Sequence, residues 1–230
     1  MRQSTVFCEG VFMRGRTRFL IAGLLMGFGS CAMKAQFTGP AVRDNFRDTS
    51  ILKPAPGSKV SVIVFEDLGC PMCARAHPIE VETAQKYHVP LLRHDFPLAQ
   101  HIWTFDGAVC ARYLQDKVSP KLAEEYRSAV FLSQTSIASK DDLREFTQRW
   151  MQKHGQQMPF VMDPKGELAA EVQADYNLGR RLNVEFTPTL VVVTGNHYQV
   201  VCGTKDGVSD PARLPSVVAA AVAQTKASHP

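Results

Sequence analysis

Cys70 and Cys73 stand three positions apart in the run Phe65-Glu66-Asp67-Leu68-Gly69-Cys70-Pro71-Met72-Cys73. Two thiols at that spacing can close a small disulfide ring. If Cys70 opens a helix, the free N–H groups and macrodipole of the helix N-terminus favour an anion there. Thiols so placed have pKa values of roughly 3.5–7.5 instead of about 8.5. A stabilised thiolate is a good leaving group, and stabilising the reduced form makes the disulfide more oxidising. Pro71 suits the first turn, where its missing N–H costs little. The chemistry in view is thiol–disulfide exchange.

Other readings of the same residues exist. A structural disulfide between Cys70 and Cys73 would have no use for a helix start. Cys73 and His77 are four residues apart on one helix face, with Cys70 and Met72 nearby, which keeps a copper-handling or other metal-binding module as the alternative. Against one shared ion, Cys70 and His77 are separated by about 10.5 Å of axis at roughly 1.5 Å per residue. No second Cys-x-x-Cys completes a zinc site. His77 therefore reads as a packed helix residue, and His94 and His101 as structural or surface residues. Neither a metal nor a cofactor is expected. Cys110 and Cys202 read as separate buried thiols, with a second disulfide between them as the alternative.

The elements that must position Cys70 follow a clear order. Lys59–Phe65 is a nearly continuous β-branched run, as expected of a central strand buried on both faces. Gly69-Cys70-Pro71 breaks the strand and opens a helix to about Lys86, and Val89–Asp95 is a second strand, giving a βαβ unit. Four helical segments follow at about 102–115, 120–133, 140–154 and 165–181. Ser119-Pro120 and Asp163-Pro164 each place an N-cap before a proline at the first helical position. Trp103, Phe105, Tyr113, Tyr126, Phe131, Phe146 and Trp150 supply a small helical core. Strands then return at Leu190–Val193 and Tyr198–Cys202, joined by the turn Thr194-Gly195-Asn196-His197, before a last helix from Asp210-Pro211. The fold class is α/β, with a helical domain at 101–182 inserted between βαβ and ββα halves at 58–100 and 183–228.

The net charge of +4 has a local origin. Residues 1–35 hold Arg2, Arg14, Arg16, Arg18 and Lys34 against Glu9, and setting those aside leaves 21 basic and 21 acidic residues. The body is neutral, so nucleic acid is not an expected partner. Arg14, Arg16 and Arg18 precede an apolar run from Phe19 to Phe28 and then small residues, the order of a secretory signal. That run is half the roughly 20 residues of a membrane-spanning helix. Ser30-Cys31-Ala32 offers a small-x-small cleavage site, and Phe28-Gly29-Ser30-Cys31 offers the alternative of a lipid anchor at Cys31. Residues 36–57 form a loop-like N-terminal extension. In an oxidising compartment the four cysteines of the body form disulfides or do redox work.

From about Val60 to Ala223 the sequence resembles the DsbA-like branch of the thioredoxin superfamily. The resemblance rests on Cys70-Pro71-Met72-Cys73 after a buried strand, Pro78 eight residues after Cys70, the Phe96-Pro97-Leu98 and His101 stretch, and Thr187-Pro188 before a late strand. It implies a thioredoxin-like fold and an exported, periplasmic thiol:disulfide oxidoreductase. Cys70 would be the attacking cysteine and Cys73 its buried partner. Pro188 would be a cis-proline, Thr187 would pair its backbone with an extended substrate, and Pro71 and Met72 would tune the redox pair. The partners implied are protein thiols and disulfides, and a membrane protein that recycles the cysteines. Two departures stand out. The buried acid that thioredoxins commonly carry six residues before the first cysteine is here Val64, which leaves Glu66, water or nothing to accept a proton. Pro-Met stands where DsbA itself has Pro-His. The oxidase reading leads, because superfamily isomerases usually carry a dimerisation domain for which residues 36–57 are too few. Thr187, shared with isomerases, keeps an isomerase or reductase as the alternative.

Overall fold

The computed structural model describes residues 45–195, 197–202 and 209–227. The leader with Cys8 and Cys31, and Asn196 of the hairpin turn, lie outside the described residues. Strand β1 (Val60–Glu66) is buried at every position, as its β-branched run requires. Helix α1 (Pro71–Tyr87) and parallel strand β2 (Leu91–Asp95) complete the βαβ unit, with Val64 opposite Arg93 and Glu66 opposite Asp95. Four helices follow: α2 (Thr104–Lys117), α3 (Pro120–Ser133), α4 (Lys140–Lys153) and α5 (Glu167–Leu182). Strands β3 (Thr189–Thr194) and β4 (His197–Val200) and helix α6 (Leu214–Ala227) close the chain. The sheet order is β2-β1-β3-β4, with β3 antiparallel to both β1 and β4.

Alternation along β1 sends its side chains into two cores. Val60, Val62 and Val64 pack with Leu190, Val192, Leu214, Val217, Val218 and Ala221 against α6. Ile63 and Phe65 pack with Val191, Val193, Phe96, Leu182 and Val184 on the other face. There α5 lies so close that a Cβ on Gly179 would come within 2.6 Å of the Phe96 ring, so glycine admits the contact. The helical layer has its own core of Trp103, Leu114, Tyr126, Val130, Phe131, Leu143, Trp150 and Met151, into which Cys70 and Cys73 also pack.

Local signals set some helix starts and not others. Ser119 caps α3, its side chain accepting from the Leu122 N–H at 3.1 Å with Pro120 in the first turn. Asp163-Pro164 does not open α5. Residues 163–166 form a turn, Gly166 becomes the N-cap in the left-handed region at φ 71°, and the helix starts at Glu167. Asp163 still caps from outside, its carboxylate accepting from the Ala169 N–H at 2.8 Å. Cys202 lies beyond β4, in an isolated bridge to Ser209.

A buried lattice of charges joins the sheet to the helical layer. Arg93 of β2 donates to Glu66 of β1 at 2.6 Å, to Glu80 of α1 at 3.0 Å and to Glu124 of α3 at 2.7 Å. Arg127 of α3 bridges Glu66 at 3.0 Å and Asp95 at 2.8 Å. Arg112 of α2 pairs with Asp95 at 2.8 Å and with Asp175 of α5, which also holds His94. Burial raises the Glu80 pKa to about 8 despite Arg93, while the Arg127 and Arg112 guanidiniums hold Asp95 below its ordinary value.

Replacing Arg93 with Leu leaves Glu66 and Glu80 buried without their shared cation. Removal of one partner of such a pair costs about 3–5 kcal/mol. That loss is expected as a lower urea midpoint at unchanged slope. Glu80 has a folded pKa above its unfolded one, so its contribution is full below about pH 4.5 and falls as pH rises towards 8. Arg93 holds that pKa down, so in Arg93→Leu it rises further, and the deficit should widen as pH rises past about 8 in urea titrations.

Candidate active site around Cys70 and Cys73

Where β1 runs out, Asp67-Leu68-Gly69 carries the chain to the head of α1. Cys70 is the N-cap residue, with φ −80° and ψ 120°, and Pro71 takes the first helical position. The turn is pinned from several sides. The Cys70 N–H donates to the Asp67 carbonyl at 3.0 Å, and Asp67 Oδ1 accepts from the Gly69 N–H at 2.9 Å. Gln134 Nε2, from the segment after α3, donates to the Leu68 carbonyl at 2.6 Å and the Cys70 carbonyl at 3.1 Å. A Cβ on Gly69 would meet Thr104 Cγ2 at 2.7 Å and the His101 side chain at 2.9 Å, so no larger residue fits without displacing them.

Cys70 and Cys73 are free thiols, 7% and 1% exposed. Their environments push them apart. The Cys70 pKa falls to about 5, chiefly because the Cys73 thiol donates to its thiolate. Burial opposes this. The Thr187 hydroxyl and the N–H groups of Cys73 and Met72 in the first helical turn add to the lowering. Cys73 is pushed well above an ordinary thiol, first by burial and then by the hydrogen bond to Cys70 and its charge. One cysteine is thus a thiolate at neutral pH and the other a proton donor to it.

Thr187–Pro188 is a cis peptide, and the Thr187 carbonyl oxygen lies 3.3 Å from Cys70 Sγ, which brings the late-strand residues onto the cysteine pair. Thr187 Oγ1 is buried and has the Cys70 thiolate as the group it can donate to. Met72 is half-buried beside the helical core, its Sδ in contact with the Arg75 guanidinium. Pro78 lies inside α1, which continues through it to Tyr87.

His77 does not join the cysteines. Its Nε2 meets Ser128 Oγ at 2.7 Å and its Nδ1 faces Arg93 at 3.2 Å, so the arginine donates and Nε2 carries the proton. Burial, helped by Arg93, lowers its pKa to about 4. Among the described residues, Glu66, His77 and Glu80 are close enough to share an ion, but the Arg93 guanidinium already bonds all three. Cys110 and Cys202 are separate, buried thiols, and burial lifts the Cys110 pKa to about 11. Reasoning from sequence missed Asp67 and Gln134. A signal for Asp67 was present, since an Asp two residues before a glycine that ends a strand is a common side-chain-to-backbone turn. None existed for Gln134, 64 residues beyond Cys70.

The sequence matches the protein family described as Thioredoxin over residues 48–201, well over half of the chain. The chain belongs to the thioredoxin family. Its class of chemistry is thiol:disulfide exchange. Solved structures show the same fold. ScsC of Proteus mirabilis in a transitional conformation aligns at 17% identity and TM-score 0.56, covering 74% of this chain and 71% of its own. Alpha-DsbA1 of Wolbachia pipientis aligns at 13% identity and TM-score 0.59, covering 79% and 99%. The oxidoreductase NmDsbA1 of N. meningitidis aligns at 19% identity and TM-score 0.50, covering 76% and 90%. No curated protein sequence matches. Among the described residues, no helix of this thioredoxin-family chain is long and apolar enough to cross a membrane.

The depressed Cys70 pKa has two measurable consequences. Alkylation of the reduced protein should show a midpoint near pH 5, where an ordinary thiol would give about 8.5. The folded pKa lies below the unfolded one, so the thiolate's contribution is full above about pH 8.5 and is lost as pH falls through 5. Urea denaturation of the reduced protein should show its stability advantage over Cys70→Ser growing between those limits. A constant difference would mean that Cys70 is an ordinary thiol.

Proposed function

We propose that this chain is an exported protein thiol:disulfide oxidoreductase that works as a net oxidant, with Cys70 as its attacking cysteine and Cys73 as its resolving partner. The observation that carries the reading is the asymmetry of the pair: Cys70 with a pKa of about 5 beside Cys73 well above the ordinary thiol. At pH 7 a thiol of that pKa favours the reduced form roughly 100-fold over an ordinary one, which for a two-electron couple raises the potential by about 60 mV. On the scale where DsbA has a thiol pKa of about 3.5 and a potential near −120 mV, and thioredoxin about 7 and −270 mV, this pair falls near or above about −180 mV.

The exchange then runs as follows. A substrate thiolate attacks Cys70 Sγ in the disulfide form. A substrate–Cys70 bond forms, the Cys70–Cys73 bond breaks, and its electron pair goes to Cys73 Sγ. A second substrate thiolate attacks the substrate sulfur of the mixed disulfide and releases Cys70 as a thiolate. The substrate has lost two electrons and the protein holds the dithiol, which a membrane redox partner reoxidises. Thr187 presents its backbone to an extended substrate segment, Pro188 holds that strand against Cys70, and Pro71 and Met72 shape the first turn. The basic, apolar and small segments of residues 14–35 support export, and Cys31 supports a lipid anchor as the alternative to cleavage near Ser30-Cys31-Ala32.

Replacing Cys73 with Ser removes the resolving thiol, so substrate proteins should accumulate as mixed disulfides on Cys70 and separate on non-reducing gels. Trapping through Cys73 after removal of Cys70 would reverse the assignment. Equilibration with glutathione should place the pair at about −180 mV or higher, and a value near thioredoxin's, about −270 mV, would replace the oxidase by a reductase or isomerase.

A further inference from the structure

We infer that Asp67 and His101 form a positioning pair that aims the Asp67 backbone N–H at Cys73 Sγ and so sets how readily Cys73 leaves when the Cys70–Cys73 disulfide is attacked. The inference rests on the thiol-exchange reading above. Asp67 touches both cysteines through its main chain: its N–H donates to Cys73 Sγ at 3.5 Å, and its carbonyl accepts from the Cys70 N–H at 3.0 Å. Both groups are one bond from the Asp67 Cα, so whatever fixes this residue fixes both contacts.

The Asp67 side chain does the fixing. Its carboxylate is fully buried, and a buried carboxylate is costly unless hydrogen-bonded and paired. Oδ1 takes the Gly69 N–H at 2.9 Å, while Oδ2 takes the Leu98 N–H at 3.0 Å and His101 Nδ1 at 2.6 Å. A carboxylate only accepts, so Nδ1 carries the proton. The ring is held in turn. The His101 N–H donates to the Leu98 carbonyl at 2.9 Å, and the Thr104 N–H and hydroxyl both donate to the His101 carbonyl. Its base abuts Gly69, where a Cβ would come within 2.9 Å of His101 Cβ and Cγ.

The link to chemistry is electron placement. When substrate sulfur attacks Cys70, the electron pair of the breaking bond arrives on Cys73, in a site where burial and the nearby Glu66 charge both oppose a thiolate. The Asp67 N–H favours that thiolate. Without the imidazole, the Asp67 carboxylate keeps two amide donors and loses its shortest contact. The turn then relaxes, and the N–H moves off the sulfur. Asp67 acts on a reacting atom through its backbone; His101 acts through Asp67.

The test compares wild type with His101→Ala and His101→Asn, because the asparagine amide can donate from close to the Nδ1 position. The readouts are the rate at which dithiothreitol reduces the disulfide form and its equilibrium with glutathione. A hydrogen bond of ordinary worth corresponds to about a 2- to 10-fold change. His101→Ala should lose that factor in the rate of reduction and leave the glutathione equilibrium near that of wild type, because Cys73 regains its proton once the dithiol has formed, and His101→Asn should recover most of the rate. If His101→Ala does not fold, His101→Gln replaces it, with its donor displaced by one methylene. The inference is overturned if the folded variant is reduced as fast as wild type, or if His101→Asn performs no better than the variant lacking the donor. A wild-type protein that fails to exchange with glutathione would instead overturn the oxidoreductase reading itself.

Discussion

Everything around the cysteine pair depends on three arginines that lie between the sheet and the helical layer, Arg93 and Arg127 buried there and Arg112 nearer the edge. Arg93, Arg127 and Arg112 come from β2, α3 and α2, and they meet carboxylates of β1, α1, β2, α3 and α5. Arg93 and Arg127 have 8% and 3% of their side chains exposed, so neither can return to water without moving an element. Such a lattice is a weak source of net stability, because desolvation offsets much of its attraction. Its value is directional. An apolar interface tolerates sliding, whereas each guanidinium here accepts one arrangement of acids from separate elements. The helical layer therefore has one seat on the βαβ unit, and with it the wall against which Cys70 and Cys73 pack.

That seat matters because the helix terminus alone would not separate the two thiols. The N–H groups of the first turn favour a Cys70 thiolate, but the largest contribution is the proton that Cys73 donates. Cys73 keeps its proton because it is buried, and it is buried partly by Leu68, Trp103, Phe131 and other residues of the helical core. The helical layer thus takes part in the redox asymmetry as well as enclosing it. Gln134 ties the segment after α3 directly to the Leu68 and Cys70 carbonyls, so movement of that layer would be felt at the nucleophile.

Legibility from sequence followed the range of the interactions. β1 was readable from its β-branched run, and the start of α1 from Cys70-Pro71, because both are decided within a few residues. Ser119-Pro120 was readable for the same reason. Asp163-Pro164 carried the same local signal, yet the chain made a turn there and let Asp163 cap α5 from outside. The signal gave a cap and misplaced the helix by three residues, because a turn through Gly166 satisfies the same donors. The charge lattice was invisible. Arg93 and Glu124 are 31 residues apart, Glu66 and Arg127 are 61 apart, and nothing in their local patterns distinguishes them from solvated surface charges. His77 read correctly as a packed residue, but its partners Arg93 and Ser128 were not foreseeable.

Val64 and Glu66 show how a shift of two residues changes the chemistry available. Both belong to the same face of β1, since a strand repeats every second residue. Val64 packs in the apolar core with Leu190 and Val192, so the position six before Cys70 carries no titratable group. Glu66 lies one repeat nearer the head of α1, bonded to Arg93 at 2.6 Å and Arg127 at 3.0 Å. Burial raises its pKa while the two arginines oppose that rise. A carboxylate tethered in this way cannot swing towards the cysteines without leaving both guanidiniums unpaired. Its influence on Cys73 is therefore through space, resisting a second thiolate, and the donors that can favour one are backbone groups such as the Asp67 N–H. In this chain the resolving cysteine is governed by where the main chain points, and the main chain points where Asp67 is held.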